Sequence, residues 1–241
     1  MPGTSNHNNC AVYWYLELSG ACVGRLHSAE FPTQTSLAIE TGGNMTKPFF
    51  NWISTSLKGG SVQDCTVITV DSSGNTLYRD QCKGRVSQVE MPACDAASRN
   101  ASYIRVTITT HQVNAKSSST GKYNQAAPVP KPFLSNDFKF SINDLQGGQY
   151  VMSATGLCLG RSVPVLTTEL VESRAGAIRS WQQSGNQPKG GSLEYLGPDL
   201  RPILTVELQS LRVSNITPAY PTNPNQKVFV SLQASAASLK C

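Results

Sequence analysis

An internal repeat limits the folds open to this chain of 241 residues more than any other property of its sequence. Three groups of segments recur in the same order: Tyr13, Tyr15 and Ser28-Ala29 match Phe138, Phe140 and Ser153-Ala154 at an offset of 125; Arg85–Val89 matches Arg212–Ile216 at 127; and Ile104–Ile108 matches Val228–Leu232 at 124. This near-constant spacing favours a duplicated unit of about 100 residues, a common domain size, over chance similarity between strands.

A polar, proline-rich stretch separates the two copies. It contains three serines in a row, Gly121, and Pro128, Pro130 and Pro132. Proline favours extended backbone with few hydrogen bonds, and serine and glycine favour flexibility. We therefore predict a first domain with an N-terminal arm over 1–113, a linker over 114–135 that is neither strand nor helix, and a second domain over 136–241.

Hydrophobic periodicity indicates that each half contains antiparallel strands and one short helix. Apolar and polar residues alternate from Ile104 to Thr109, which is the period of a strand with one buried face. In contrast, Phe49, Phe50, Ile53 and Leu57 share one side of a helix over 47–60 that Gly59-Gly60 ends. A second helix is expected over 175–183. The predicted fold class is mainly β, with two tandem β-sandwich or barrel domains and one short helix in each.

Composition excludes several classes of protein. Charged residues make up 15% of the chain, against about 25% in an average globular protein, and the formal net charge is +5. No apolar run approaches the roughly 20 residues of a membrane span, and the first residues lack the layout of a signal peptide. We therefore expect a soluble protein made in the cytoplasm. Because no basic run is present, we expect no sequence-specific nucleic-acid binding.

No arrangement of residues in the sequence favours catalysis. His7, His27 and His111 have no partner at a metal-ligand spacing, and a Gly-x-Ser-x-Gly nucleophile motif is absent. The prediction is a protein that is not an enzyme and needs no metal or cofactor.

Seven cysteines include none in a Cys-x-x-Cys pair, which argues against zinc-ribbon and thioredoxin-like sites. An odd count leaves at least one thiol free or paired with another chain. Cys10 and Cys241 lie near the two ends of the sequence, where they are well placed to reach a neighbour, so they are the candidates for an intersubunit disulfide. The alternative is that all seven stay reduced and act as small apolar side chains.

An ordered series of segments in the first half resembles the tail tube proteins of contractile-tailed phages and related injection systems. The series comprises YWYLELSG, the Val-Gly of CVGRLHSAEF, KPFFNWISTSLK, TVITVDSSGNTLYRD and VSQVEMPACDAASRNASYIRVTITTHQV. It spans residues 11–113, and the second half is included chiefly through the internal repeat. The combination of a helix with a following hairpin carries most of the resemblance.

The resemblance implies a structural virion protein whose strands join with those of its neighbours into a ring, and whose rings stack into a hollow tube that conducts DNA. Its implied partners are copies of itself, a tail sheath protein, a baseplate hub and passing DNA. Arg105, Thr107 and Thr109 are the candidates for a strand face on the lumen or surface. The candidate assembly region is the helix around Lys47, Phe49, Phe50 and Trp52.

Several alternatives stay open at this stage. Two domains per chain favour a trimeric ring with pseudo-sixfold symmetry, and a true hexamer is the alternative. A tail hub, tube initiator or terminator ring of the same fold is a second candidate. A third is a soluble β-sandwich binding module, in which Trp14, Trp52 or Trp181 stacks on a sugar. A net positive charge is unexpected for a DNA conduit, because bound phosphates would retard the DNA.

Overall fold

The computed structural model describes residues 12–33, 35–60, 62–117, 121–125, 127–145, 151–160, 163–218, 220 and 223–240, without the side chains of 32 and 111–117. This part of the chain is mainly β, and one of its sheets is nearly closed into a barrel. No helix within the described residues is long and apolar enough to cross a membrane.

The first half contributes nine strands and one helix to the described structure. These elements are β1 (Tyr13–Leu18), β2 (Ala21–Leu26), β3 (Ser28–Thr33), β4 (Ser36–Thr41), α1 (Lys47–Leu57), β5 (Gln63–Val70), β6 (Thr76–Glu90), β7 (Cys94–Asp95), β8 (Ala101–Ser102) and β9 (Ile104–Ser117). The main sheet has the order β2-β1-β5-β6-β9-β4-β3, and its neighbours are antiparallel.

The second half follows a similar plan within the described residues. Its elements are β10 (Phe133–Leu134), β11 (Phe138–Ile142), β12 (Ser153–Thr155), β13 (Cys158–Gly160), β14 (Val165–Val171), α2 (Glu172–Gln183), β15 (Lys189–Leu196), β16 (Pro202–Thr217), β17 (Lys227–Gln233) and β18 (Ala236–Lys240). The second sheet has the order β11-β15-β16-β17-β14-β12-β7, and β18 pairs with β16.

The two sheets repeat one strand order. The series β1-β5-β6-β9-β4-β3 in the first sheet corresponds, position by position, to β11-β15-β16-β17-β14-β12 in the second. Each helix follows the corresponding strand, because α1 comes after β4 and α2 after β14. The internal repeat of the sequence therefore has a counterpart in the topology of the chain.

Strand register repeats as well. The matched cross-strand pairs are Val86–Ile108 and Val89–Val106 in the first half and Val213–Leu232 and Ile216–Val230 in the second. Between the two pairs of each half the register shifts, and one extra residue, Ser87 or Ser214, forms a β-bulge. The Ser87 hydroxyl donates to the Thr107 carbonyl at 3.2 Å, and the Ser214 hydroxyl donates to the Ser231 carbonyl at 2.9 Å. Even this irregularity is duplicated.

One hydrophobic cluster draws on both halves. Phe49 and Trp52 of α1 and Phe140 and Tyr195 of the second sheet are all buried in it. The Tyr195 hydroxyl donates to the Pro92 carbonyl at 2.8 Å, so the one buried hydroxyl group in this set is satisfied by the other half of the chain. The two sheets therefore share a core.

The stretch expected to be a linker is shorter and better anchored than predicted. Strand β9 runs on to Ser117 and β10 pairs with β8, so both ends of 114–135 are strand, contrary to the prediction. Between them, the Asn44 side chain donates to the Val129 carbonyl and accepts from the Lys131 N–H, both at 2.9 Å. These hydrogen bonds, which the serine and proline composition did not reveal, hold this part of the chain against the loop between β4 and α1. The division into two domains stays a prediction.

Candidate assembly surface

The face of β9 that points away from the hydrophobic core carries the three residues predicted to line a lumen or surface. Arg105, Thr107 and Thr109 are half-buried, and they alternate with fully buried Ile104, Val106 and Ile108. Strands β4 and β6 flank β9, so this face continues across the sheet. The alternation predicted from sequence is present, and the assignment of the face to a lumen stays a prediction.

Arg105 is held between two carboxylates on this face. Its guanidinium lies 3.2 Å from Glu30 and 3.4 Å from Glu40, and the Ser28 hydroxyl donates to Glu40 at 2.9 Å. The hydrogen bond to Glu30 is the main cause that raises the pKa of Arg105 above its usual value. This cation is therefore neutralised locally, whereas Arg85 of β6, opposite Thr109 on the same face, is exposed.

The equivalent face of the second sheet lies on the matching strand, β17, but carries different side chains. Strand register places Phe229, Ser231 and Gln233 of β17 where β9 has Arg105, Thr107 and Thr109. Phe229 is 44% exposed, and beside it Lys227 contacts Glu169 at 2.7 Å. The other named positions on the two strands carry threonine, serine and glutamine, but Arg105 in one half is replaced by the exposed Phe229 in the other.

The predicted assembly helix turns its aromatic residues inward. Phe49, Phe50 and Trp52 have exposures of 0%, 5% and 1%, because they fill the shared core. These three side chains are therefore not available to another chain. Lys47 is exposed at the start of α1, so a role of this helix in assembly stays a prediction for its outer side.

The aromatic residues considered for sugar binding are also largely inside. Trp52 and Trp181 are buried, and the Trp181 indole N–H donates to the Gln187 carbonyl at 2.7 Å. Trp14 is half-buried in β1. Only Trp14 leaves part of its ring accessible, so a stacking platform of tryptophans is not formed.

The cysteines proposed to join subunits, Cys10 and Cys241, lie outside the described residues, and their pairing stays a prediction. Cys22, Cys65, Cys82, Cys94 and Cys158 lie within them, and all five are free thiols. Burial raises the pKa of the Cys94 thiol to about 12. Among the described residues, no group of histidine, cysteine and carboxylate side chains could hold a metal ion.

A junction that sequence analysis missed connects the two sheets. Residues 88–96 run antiparallel to 152–160: β13 pairs with β6, and β12 pairs with β7. Between the two strand pairs, the Met91 N–H donates to the Leu157 carbonyl at 2.9 Å, and the Ala96 N–H donates to the Met152 carbonyl at 2.8 Å. The end of β6 in one half therefore joins the edge of the other half in a single ladder, called here the internal seam.

The elements equivalent to the internal seam are unpaired among the described strands. By the repeat, β16 corresponds to β6 and β3 corresponds to β12. Among the described strands, none pairs with the outer edge of β3, which is held only by β4, or with the side of Asn215–Thr217 that faces away from β17. Phe31 on β3 is 37% exposed. By the repeat, one chain therefore carries a counterpart of each side of the internal seam: the free edge of β3 and the end of β16.

Comparisons with known proteins add no further assignment. No known family model matches the chain, and no curated protein is significantly similar to it in sequence.

Proposed function

We propose that this chain is a structural subunit that joins copies of itself edge to edge into a ring, and that stacked rings form the hollow tail tube of a contractile phage tail. The observation that carries the proposal is the internal seam together with the two open edges that correspond to it. A sheet edge with unpaired backbone groups is a template for another strand, and addition of a strand is a common way for chains to associate.

The difference between the two open edges favours a closed ring of several chains over a dimer. The edge of β3 and the end of β16 are different surfaces, so the contact is head to tail and each copy can bind one neighbour on each side. Such contacts form rings when the rotation closes. Because the two halves of one chain are already joined in this way, a ring of six halves needs three chains, and a trimer is the arrangement we expect.

Carboxylates balance part of the positive charge on the proposed inner face. Phosphates bound by exposed Lys and Arg would slow the passage of DNA. Arg105 is neutralised by Glu30 and Glu40, and Lys227 contacts Glu169. Threonine, serine and glutamine occupy most of the other positions on these two strands, while Arg85 and Arg212 on the flanking strands stay exposed on the same face. In this proposal a sheath protein covers the outside, a baseplate hub starts the tube, and the protein is located in the virion.

Electron microscopy of the purified full chain over a range of concentrations tests the proposal. We expect rings or tubes with a central hole for the wild type. Phe31→Asp, on the exposed edge of β3, should give folded monomers, because a charge on an edge opposes strand pairing. The matched control is Leu200→Asp, a residue 70% exposed and away from both open edges, which should still form rings.

Two outcomes would count against the proposal. Wild-type protein that stays monomeric at high concentration would argue against self-assembly. Rings that form equally well with Phe31→Asp would show that the open edge of β3 does not join the copies.

A further inference from the structure

Two buried cysteines face each other across the hairpin of β5 and β6. Cys65 and Cys82 are directly opposite in the antiparallel register, and their exposures are 1% and 3%. Directly opposite residues of such a pair have Cα atoms about 4.5–5.5 Å apart. That spacing lies within the range of about 4.4–6.8 Å found for disulfides.

The two sulfur groups are in contact. The hydrogen bond between them is the main cause that raises the pKa of Cys65 and lowers the pKa of Cys82. Cys65 therefore keeps its proton and donates it toward Cys82, which is the better nucleophile of the two. The strand register already places the two cysteines at the spacing of a disulfide, so the main chain does not have to move for the bond to form.

The fold itself does not require cysteine at these positions. In the second half, the equivalent pair across β15 and β16 is Gly191 and Leu208. The other described cysteines on strands lie opposite other residues: Cys22 opposite Glu17, Cys94 opposite Ala154 and Cys158 opposite Glu90. Cys65 and Cys82 are thus the described cysteines that strand register brings together.

We propose that Cys65 and Cys82 form an intrachain redox site that a peroxide converts into a cross-strand disulfide. The Cys82 thiolate attacks one peroxide oxygen, the O–O bond breaks, and the departing hydroxide takes up the proton released by Cys82 to leave as water. Cys65 then loses its proton and attacks the sulfur of the sulfenic acid, the S–O bond breaks, and a second water leaves. The two sulfurs lose two electrons, which the peroxide gains.

Burial decides which oxidant can act on this site. Hydrogen peroxide is small enough to enter a packed core during local opening, whereas a glutathione-sized disulfide is excluded from the native protein. The link would close the hairpin loop from Thr66 to Gln81. From the loop length, the melting temperature should rise by roughly 5–10 °C when the disulfide forms.

The test treats the full-length reduced chain with hydrogen peroxide, then unfolds it and alkylates the remaining thiols. We expect unreduced peptide maps to show a peptide pair joined through Cys65 and Cys82, with a mass lower by two hydrogen atoms. Cys65→Ser and Cys82→Ser should each abolish this pair and the rise in melting temperature. The matched control is Cys94→Ser, which alters a buried cysteine outside the pair and should leave the link intact.

The wild-type map decides the question even where a serine variant fails to fold. Recovery of both Cys65 and Cys82 as alkylated thiols from oxidised wild-type protein would overturn the proposal. Sulfinic acid at Cys82, or a link from either cysteine to a third one, would overturn it as well. Because the link lies within one chain, the result does not depend on whether rings form.

Discussion

Gly160 is a single residue on which the internal seam depends. It lies in β13 with φ +127°, a conformation that residues with a side chain rarely adopt. A Cβ atom at this position would overlap the Ser87 carbonyl oxygen, far inside van der Waals contact. The close approach of β13 to the bulge of β6 therefore requires glycine.

The corresponding prediction compares two glycines in the same segment. Gly160→Ala should lower the free energy of unfolding by at least about 2–3 kcal/mol, because it combines backbone strain with a clash inside the ladder. Gly156→Ala should cost only about 1–2 kcal/mol, since Gly156 has φ +80° but open space around it. Urea unfolding of the reduced monomer measures both. Equal losses would show that the clash at Gly160 is relieved without cost.

At the scale of secondary structure, the sequence predicted the elements that have one buried face. Strands β5, β6 and β9 and helix α1 were recognised because alternation or helical spacing separates their buried and exposed residues. Strand β1 was recognised from its alternating residue types, although Leu16, Glu17 and Leu18 are all buried. Strand β4 was missed because Leu37, Ala38 and Ile39 are all buried and do not alternate. Such a run has no period to detect.

The internal seam lay beyond what local patterns can indicate. Strands β7 and β13 have two and three residues, too few for a periodic signal, and their partners lie far away in sequence. Gly160 was the only local sign of a close approach, and one glycine in a strand is a weak signal. The same limit applies to Phe49, Phe50 and Trp52, which the core shared by both halves buries, so the assembly role predicted for this helix stays a prediction for its outer side.

The turn between β5 and β6 makes one hairpin sensitive to acid. The Asp71 carboxylate accepts from the N–H groups of Ser73 and Asn75 at 2.9 and 2.8 Å and from the Asn75 amide at 3.0 Å. These bonds, those from Asn75 most of all, lower the pKa of Asp71 from its usual value near 3.8. Because its pKa is lowered in the folded protein, Asp71 stabilises the folded state at pH values above its usual pKa. This contribution is lost as the pH falls through the pKa of the folded state.

We therefore expect Asp71→Asn to be less stable than the wild type near neutral pH. The difference in melting temperature should shrink as the pH falls below about 4, where Asp71 of the unfolded chain takes up a proton, toward the lower pKa of Asp71 in the folded protein. Thermal melts of both proteins from pH 7 to pH 2.5 measure it. A difference that stays constant across this range would mean that the charge of Asp71 does not contribute.

At the scale of the whole molecule, the repeat predicts the register between copies. Glu90 lies opposite Cys158 in the internal seam. Their counterparts by the repeat are Thr217 at the end of β16 and Thr33 on β3, both exposed. We expect Thr217 of one copy to lie opposite Thr33 of the next when the open edges join.

Cross-linking counts the copies directly. A Thr33→Cys/Thr217→Cys chain, oxidised after assembly, should give covalent dimers and trimers on a denaturing gel without reductant, and the series should stop at three chains. Each single variant is the control and should give no series, provided that Cys10 and Cys241, the candidates for an intersubunit disulfide, are replaced by serine in every protein compared. A series that stops at six would favour the hexamer. Rings without cross-links would place the contact between copies elsewhere.

The two sheets share a strand order but not a lining: one presents Arg105 and the other presents Phe229 at the same position. When two different surfaces belong to two separately encoded subunits, their ratio depends on how much of each subunit is made. Their order in the assembly depends on which subunit binds next to which. Here a single polypeptide fixes both. Every assembly of these chains contains the two surfaces in equal number, and the proposed head-to-tail ring would place them in strict alternation. Each surface can change by mutation without disturbing the stoichiometry of the other.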